Sequence, residues 1–189
     1  MLNKWPRPRI INFIAFLFVF LCLSGCKKPI ESDCNADLDH NQLHTKASFP
    51  IGVAIKHFHL FNTPEYQNIV IKQFNQVTPS NELKPVNTQP YEGVFTFTSA
   101  DQMVAFAENN NQQIHGHTLL WHNQIPFWME HYQGSREDWI AMMKTHIQTV
   151  VGHYKGKIKA WDVINEGFLS NGTLRNSIWK QNIGPEYLE

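Results

Sequence analysis

The apolar positions of this chain fall into two regimes. From Ile10 to Leu23 they run almost without a break, interrupted only by Asn12, behind the cations Lys4, Arg7 and Arg9. From Phe49 onward they come in short blocks that alternate between the period of a strand and the period of a helix. Phe49-Pro50-Ile51-Gly52-Val53-Ala54-Ile55 predicts a first strand. Thr63-Pro64 has the form of a helix start, with Thr63 as N-cap and Pro64 at the first helical position. That helix runs to about Phe74, with Ile69, Val70 and Phe74 inward. Gln76-Val77-Thr78-Pro79 predicts a short second strand, and Ser99-Ala100-Asp101 begins a helix through about Asn109. Met103, Val104, Phe106 and Ala107 make the apolar face of that helix. Gln113 to Trp121 predicts a third strand, broken by Pro126. Ser135 caps a helix from Arg136 to about Tyr154, whose Trp139, Met142, Met143, Ile147 and Val150 read as core. Ile158 to Glu166 predicts a fourth strand, and Ile178 to Leu188 the start of one more helix.

Strand and helix thus alternate, which argues for a parallel α/β fold. Three of the four strands end in polar clusters: Ser80-Asn81-Glu82 with Lys84, His122-Asn123-Gln124, and Asn165-Glu166. Ligand sites of parallel α/β folds lie at the carboxyl ends of strands, so these clusters mark one candidate rim. No Gly-rich loop follows the first strand, which argues against a dinucleotide or P-loop site.

The N-terminal regime is not part of that fold. A short apolar run behind basic residues reads as an export signal over residues 1–25, not as a spanning helix. Its ending, Leu23-Ser24-Gly25-Cys26, resembles the bacterial lipobox. That resemblance implies cleavage before Cys26, a lipid on its sulfur, and an exported protein anchored to a bacterial membrane or cell surface. Residues 26–46 are polar and read as a tether. Cys22 leaves with the signal and Cys34 stands alone, so the body does not rely on disulfides.

Composition narrows the ligand. Lysine plus arginine equals aspartate plus glutamate, so no basic patch points to nucleic acid. The 6 Trp, 5 Tyr and 13 Phe, set among amides and carboxylates, suit neutral hydroxyl-rich ligands such as sugars. No cofactor and no catalytic metal are implied, and no Cys/His spacing resembles a zinc module.

Three motifs carry a family resemblance. Thr78-Pro79-Ser80-Asn81-Glu82-Leu83-Lys84, the run from Gly116-His117 through Trp121-His122-Asn123-Gln124, and Trp161-Asp162-Val163-Ile164-Asn165-Glu166 resemble family 10 glycoside hydrolases. These are mostly endo-1,4-β-xylanases on a (β/α)8 barrel. Leu174-Arg175-Asn176-Ser177 and Ile183-Gly184-Pro185-Glu186-Tyr187 also look like family segments. The resemblance implies a retaining double displacement on xylan or a xylo-oligosaccharide, with two carboxylates about 5–5.5 Å apart. It makes Glu166 the acid/base and Asn165 the partner of the sugar 2-hydroxyl. It places His117, Trp121, Gln124, Asn81 and Lys84 along the sugar subsites nearest the bond.

Two departures qualify the resemblance. Ser80 stands where the family commonly has Glu, so a hydroxyl replaces a carboxylate at a more distal sugar. The family nucleophile follows the seventh strand, and barrels take about 250 residues. Residues 47–189 are therefore expected to hold only the first four to five βα units, and this polypeptide alone is expected not to hydrolyse xylan. Two other functions compete. A non-catalytic surface lipoprotein would keep the sugar contacts without the second carboxylate. A metal-dependent barrel hydrolase would use His57-Phe58-His59 with His115 and His117.

Overall fold

Four parallel strands lie side by side in the order in which the sequence writes them: β1 (Gly52–Ile55), β2 (Gln76–Pro79), β3 (Gln113–Leu120) and β4 (Ala160–Ile164). The structure is a computed structural model, and it describes residues 42–189. The expected export signal, Cys26, Cys34 and most of the expected tether lie outside the described residues. Strand order decides the fold class. A doubly wound sheet reverses around a switch point, whereas a barrel adds each strand beside the last. The order β1-β2-β3-β4 is the second kind, a partial (β/α)8 barrel.

The helices are α1 (His57–Asn62), α2 (Pro64–Gln73), α3 (Pro85–Thr88), α4 (Thr98–Asn109), α5 (Phe127–Glu130), α6 (Arg136–His153) and α7 (Ile178–Ile183). A first core gathers β1, β2 and most of β3 against α4 and α6, through Ile55, Val77, Met103, Ile114, Val150 and Tyr154. A second core lies at the end of β3, where Leu120, Ile125, Met129, Trp139, Trp179, Ile183 and Tyr187 pack together. Trp139 and Trp179 meet edge to face at 5.9 Å. This second core underlies the rim where β3 and β4 end.

Local chemistry explains the elements and some corrections to the expected ones. Ser135 caps α6 in a reciprocal box: its hydroxyl accepts from the Asp138 N–H, and the Asp138 carboxylate accepts from the Ser135 N–H. At Thr63 the position is as expected, but its hydroxyl makes no capping bond. The inner line of α2 is Tyr66, Val70 and Gln73, and Ile69 points outward at 43% exposure. The first strand starts only at Gly52, leaving Phe49 exposed. The last expected helix stops at Ile183, because Gly184 takes φ 100° and Pro185 follows; Pro185–Leu188 continues as a 3-10 turn. Leu43–Thr45, inside the predicted tether, forms another 3-10 turn, and the Leu43 N–H donates to Gln73 Oε1 at 3.0 Å.

One close approach requires glycine. Gly116 on β3 faces Trp161 on β4, and a Cβ at Gly116 would lie 2.1 Å from the indole ring. The missing side chain lets the two strands meet with the indole between them and the first core.

Candidate active site

Register builds the floor of the site. His117 pairs with Asp162, so their side chains share a face, and His115 lies two residues back on that same face. The Asp162 carboxylate accepts from His115 Nε2 at 2.8 Å and from His117 Nδ1 at 2.9 Å. Its backbone carbonyl accepts from the Thr118 hydroxyl at 2.8 Å. Burial alone would raise the Asp162 pKa; the hydrogen bonds and charges of the two imidazoles outweigh it and hold the carboxyl below its usual range. With Nδ1 engaged, His117 keeps Nε2 for whatever occupies the rim.

Above that floor the strand gives way to a turn. The Asn165 N–H still donates to the Leu120 carbonyl at 2.9 Å, continuing the β3–β4 pairing. Glu166 then takes φ 51°, a left-handed conformation uncommon without glycine. The expected fourth strand thus stops at Ile164, and Glu166 stands beyond it, its side chain 52% exposed. Its Oε2 accepts from Trp121 Nε1 at 3.0 Å, and His122 Nε2 lies 3.7 Å away. Two later residues brace the turn. Arg175 Nε donates to the Glu166 carbonyl at 2.8 Å, and the Nε1 of buried Trp179 donates to the Trp121 carbonyl at 2.9 Å.

The β2 rim is tied to the same network. Lys84 is 6% exposed, donates through Nζ to Asn81 Oδ1 at 3.1 Å, and sits 4.9 Å over the Trp121 ring. Burial lowers its pKa, and the Glu82 carboxylate acts in the opposite direction. Both Glu82 oxygens are occupied: Oε1 accepts from the His57 N–H and Oε2 from the Asn81 N–H, each at 3.1 Å. Gln124 takes φ 50°, and its carbonyl accepts from the Val86 N–H at 3.2 Å, which joins the loop after β3 to α3.

The structure therefore gathers Asn81, Lys84, His117, Trp121, Gln124, Asn165 and Glu166 on one rim. Cys26 lies outside the described residues. The His57-Phe58-His59 run does not form a chelating pair. It belongs to α1, where residues two apart point about 200° away from each other. His57 bonds Gln102, and His59 faces the Tyr66 ring. Sequence reasoning placed His122 in the rim cluster after β3 and Asp162 and Arg175 in motifs, but gave none of them, nor Trp179, a role of its own. Asp162 carried a readable signal, a carboxylate in the middle of an apolar strand. The bracing residues carried none, since nothing local says which backbone carbonyl they meet.

Known proteins resemble this chain in sequence and in fold. The chain is 36% identical over 173 residues to endo-1,4-beta-xylanase B of Thermotoga neapolitana, covering 90% of this chain and 49% of that protein. It is 44% identical over 158 residues to exoglucanase XynX of Acetivibrio thermocellus, covering 76% of this chain and 14% of that protein. The solved xylanase 10B of Thermotoga petrophila, in complex with xylobiose, matches with a TM-score of 0.74 and 39% identity. That match covers 78% of this chain and 46% of the solved chain. The chain spans about half the length of these xylanases. A model of Glycosyl hydrolase family 10 matches residues 40–189, and with this rim and this strand order the chain belongs to that family, as its N-terminal half.

Proposed function

We propose that the protein carrying this chain cleaves internal β-1,4 linkages of xylan with retention, and that Glu166 is its acid/base. The supporting observation is the pose of Glu166. A half-exposed carboxylate stands in a left-handed turn at a strand tip, held by an indole N–H and flanked by a histidine. A group so placed can protonate a leaving oxygen and later take a proton from water. Asn165 meets the sugar 2-hydroxyl, while Asn81, Lys84, His117, Trp121 and Gln124 line the sugars on either side. The nucleophile comes from outside these 189 residues. The other two carboxylates of the rim are already engaged, Asp162 by two imidazoles and Glu82 by two backbone N–H groups. We place the protein outside the cytoplasm, anchored through a lipid on Cys26. Mass spectrometry of the mature protein is expected to find a lipid-modified Cys26 as its first residue.

The decisive experiment compares two leaving groups in the full-length protein. Glu166→Gln should stop cleavage of xylan, whose leaving alkoxide needs a proton. It should preserve a first burst of activated nitrophenolate from an aryl xylobioside, which leaves without a proton, and slow the later turnovers because no base activates the water of the second step. Undiminished xylan cleavage by the variant would remove Glu166 from the role. Xylo-oligosaccharide binding without turnover by the parent protein would favour a sugar-binding lipoprotein instead.

A further inference from the structure

The four strands begin at the end of the sheet opposite the rim, and the charge gathered there is mostly of one sign. Lys155, Lys157 and Lys159 lie in the connection from α6 to the start of β4, and Lys46 precedes β1. All four are exposed. Lys157 Nζ lies 3.4 Å from a carboxylate oxygen of Glu108, at the end of α4; the ammonium groups of Lys46, Lys155 and Lys159 make no ion pair among the described residues. Glu137 and Asp138 stand in the first turn of α6, at the far end of that helix, and Asp101 Oδ1 lies 2.8 Å from His153 Nε2. Apolar side chains flank the first of these lysines. Leu43 is 52% exposed and Phe49 65% exposed, on either side of Lys46. Their segment is tied to the start of β2: the Leu43 N–H donates to Gln73, and the Ile51 N–H donates to Asn75 Oδ1 at 2.8 Å. Strands lie about 4.8 Å apart, so the starts of β1 and β4 stand about 14 Å from each other on this face. Between them a recess of about 260 Å³ is lined by Gln76, Gln113, Lys157 and Lys159, with Glu108 in its wall.

We infer that this end of the sheet is a membrane-docking face, with the lysines against anionic phospholipid headgroups and Leu43 and Phe49 in the interfacial layer beneath them. Lysines beside an exposed phenylalanine and leucine match what such a surface offers, charge outside and hydrocarbon within. A soluble anion would use the lysines and leave the apolar side chains in water. The choice of partner rests on the reading of Cys26 as the lipid-bearing residue. Gln42 follows Cys26 by sixteen positions, a length of chain that spans at most about 55 Å. The chain therefore enters the fold at the lysine-bearing end, within reach of the surface that would hold the lipid. Docked in this way, the rim at the other end of the strands faces away from the lipid and toward a polymer outside.

The mature full-length protein carrying Cys26→Ser, which has no lipid, tests the face without the anchor. Its sedimentation with vesicles of phosphatidylcholine alone is compared with that on an equal mixture of phosphatidylcholine and phosphatidylglycerol. Binding to the mixed vesicles should be tighter by on the order of 100-fold, and should weaken as salt is added. Lys155→Gln, Lys157→Gln and Lys159→Gln together should remove most of that difference. Leu43→Ser with Phe49→Ser should weaken binding to the mixed vesicles roughly tenfold. Both sets of changes should leave turnover of soluble substrate as it was, which shows that the fold is intact. Equal binding to the two vesicles, or none, overturns the docking face, while mass spectrometry of Cys26 judges the anchor separately. Binding to mixed vesicles that survives the lysine changes overturns it too. Loss with the lysines but not with the apolar pair overturns the lipid as partner and assigns the face to a soluble anionic polymer.

Discussion

The layer beneath the rim and the rim itself differ in almost every physical respect, although Asp162 and Glu166 are four residues apart. Below, Gly116, Trp161 and Asp162 sit in paired, extended backbone, and His146 is fully buried against the β3 layer with its Nδ1 bonded to Gln89 Oε1 at 2.8 Å. Each polar group there has been given a fixed partner or has been kept neutral. At the rim, Gln124 and Glu166 adopt left-handed backbone, and Asn81, Gln124 and Glu166 keep polar atoms available to solvent. The lower layer is built for stability and the upper for contact. A carboxylate becomes a spacer in one and a candidate acid in the other because of what meets its oxygens.

That division can be tested by substitutions that should move only one side of it. The largest effect is expected at the rim. Glu166→Gln should lower xylan turnover of the full-length protein by roughly 10²–10⁴-fold, the usual contribution of general acid–base catalysis. Its unfolding midpoint should barely shift. A comparable loss of stability would show that the rim is structural after all. Next is Gly116→Ala, which forces a methyl into the Trp161 ring. It should cost about 3 kcal/mol in chemical denaturation, the upper end for overpacking. Turnover at low temperature should follow the folded fraction. Smallest near neutrality is a pH effect. Burial pushes His146 from 6.5 down to about 4, so the folded state holds it neutral. The unfolded chain then binds the extra proton, and stability should fall as pH drops from about 6.5 to 4, by roughly 3 kcal/mol in all. His146→Gln should flatten that slope. An unchanged slope would move the acid sensitivity elsewhere.

Much of the architecture was legible in the chain because burial imposes a period. Four strands and the helices beginning near Pro64, Thr98 and Arg136 follow from apolar spacing and punctuation. Helix α1 was not legible: of its six residues only Leu60 is buried, and the rest are histidines, phenylalanines and an asparagine without a face. The outward turn of Ile69 reflects a stripe shifted by one residue, which periodicity over ten residues does not resolve. His146 was passed over within the apolar stripe of α6 because a neutral buried imidazole looks polar in sequence. At the rim, motif positions found the seven residues that converge. What they did not disclose was conformation, since the turn at Glu166 depends on a dihedral angle and on carbonyls met by Arg175 and Trp179.

Those last two contacts bear on how the molecule comes into being. A ribosome releases the chain from its N-terminus, at about 5–20 residues per second. When Ile164 emerges, every strand of this sheet exists, yet the carbonyls of Trp121 and Glu166 have no partner until Arg175 and Trp179 follow. The turn at Glu166 is therefore completed only by residues made after it. A nascent protein interrupted between those points would hold all four described strands but neither brace of the Glu166 turn, nor Trp179, Ile183 and Tyr187 of the second core.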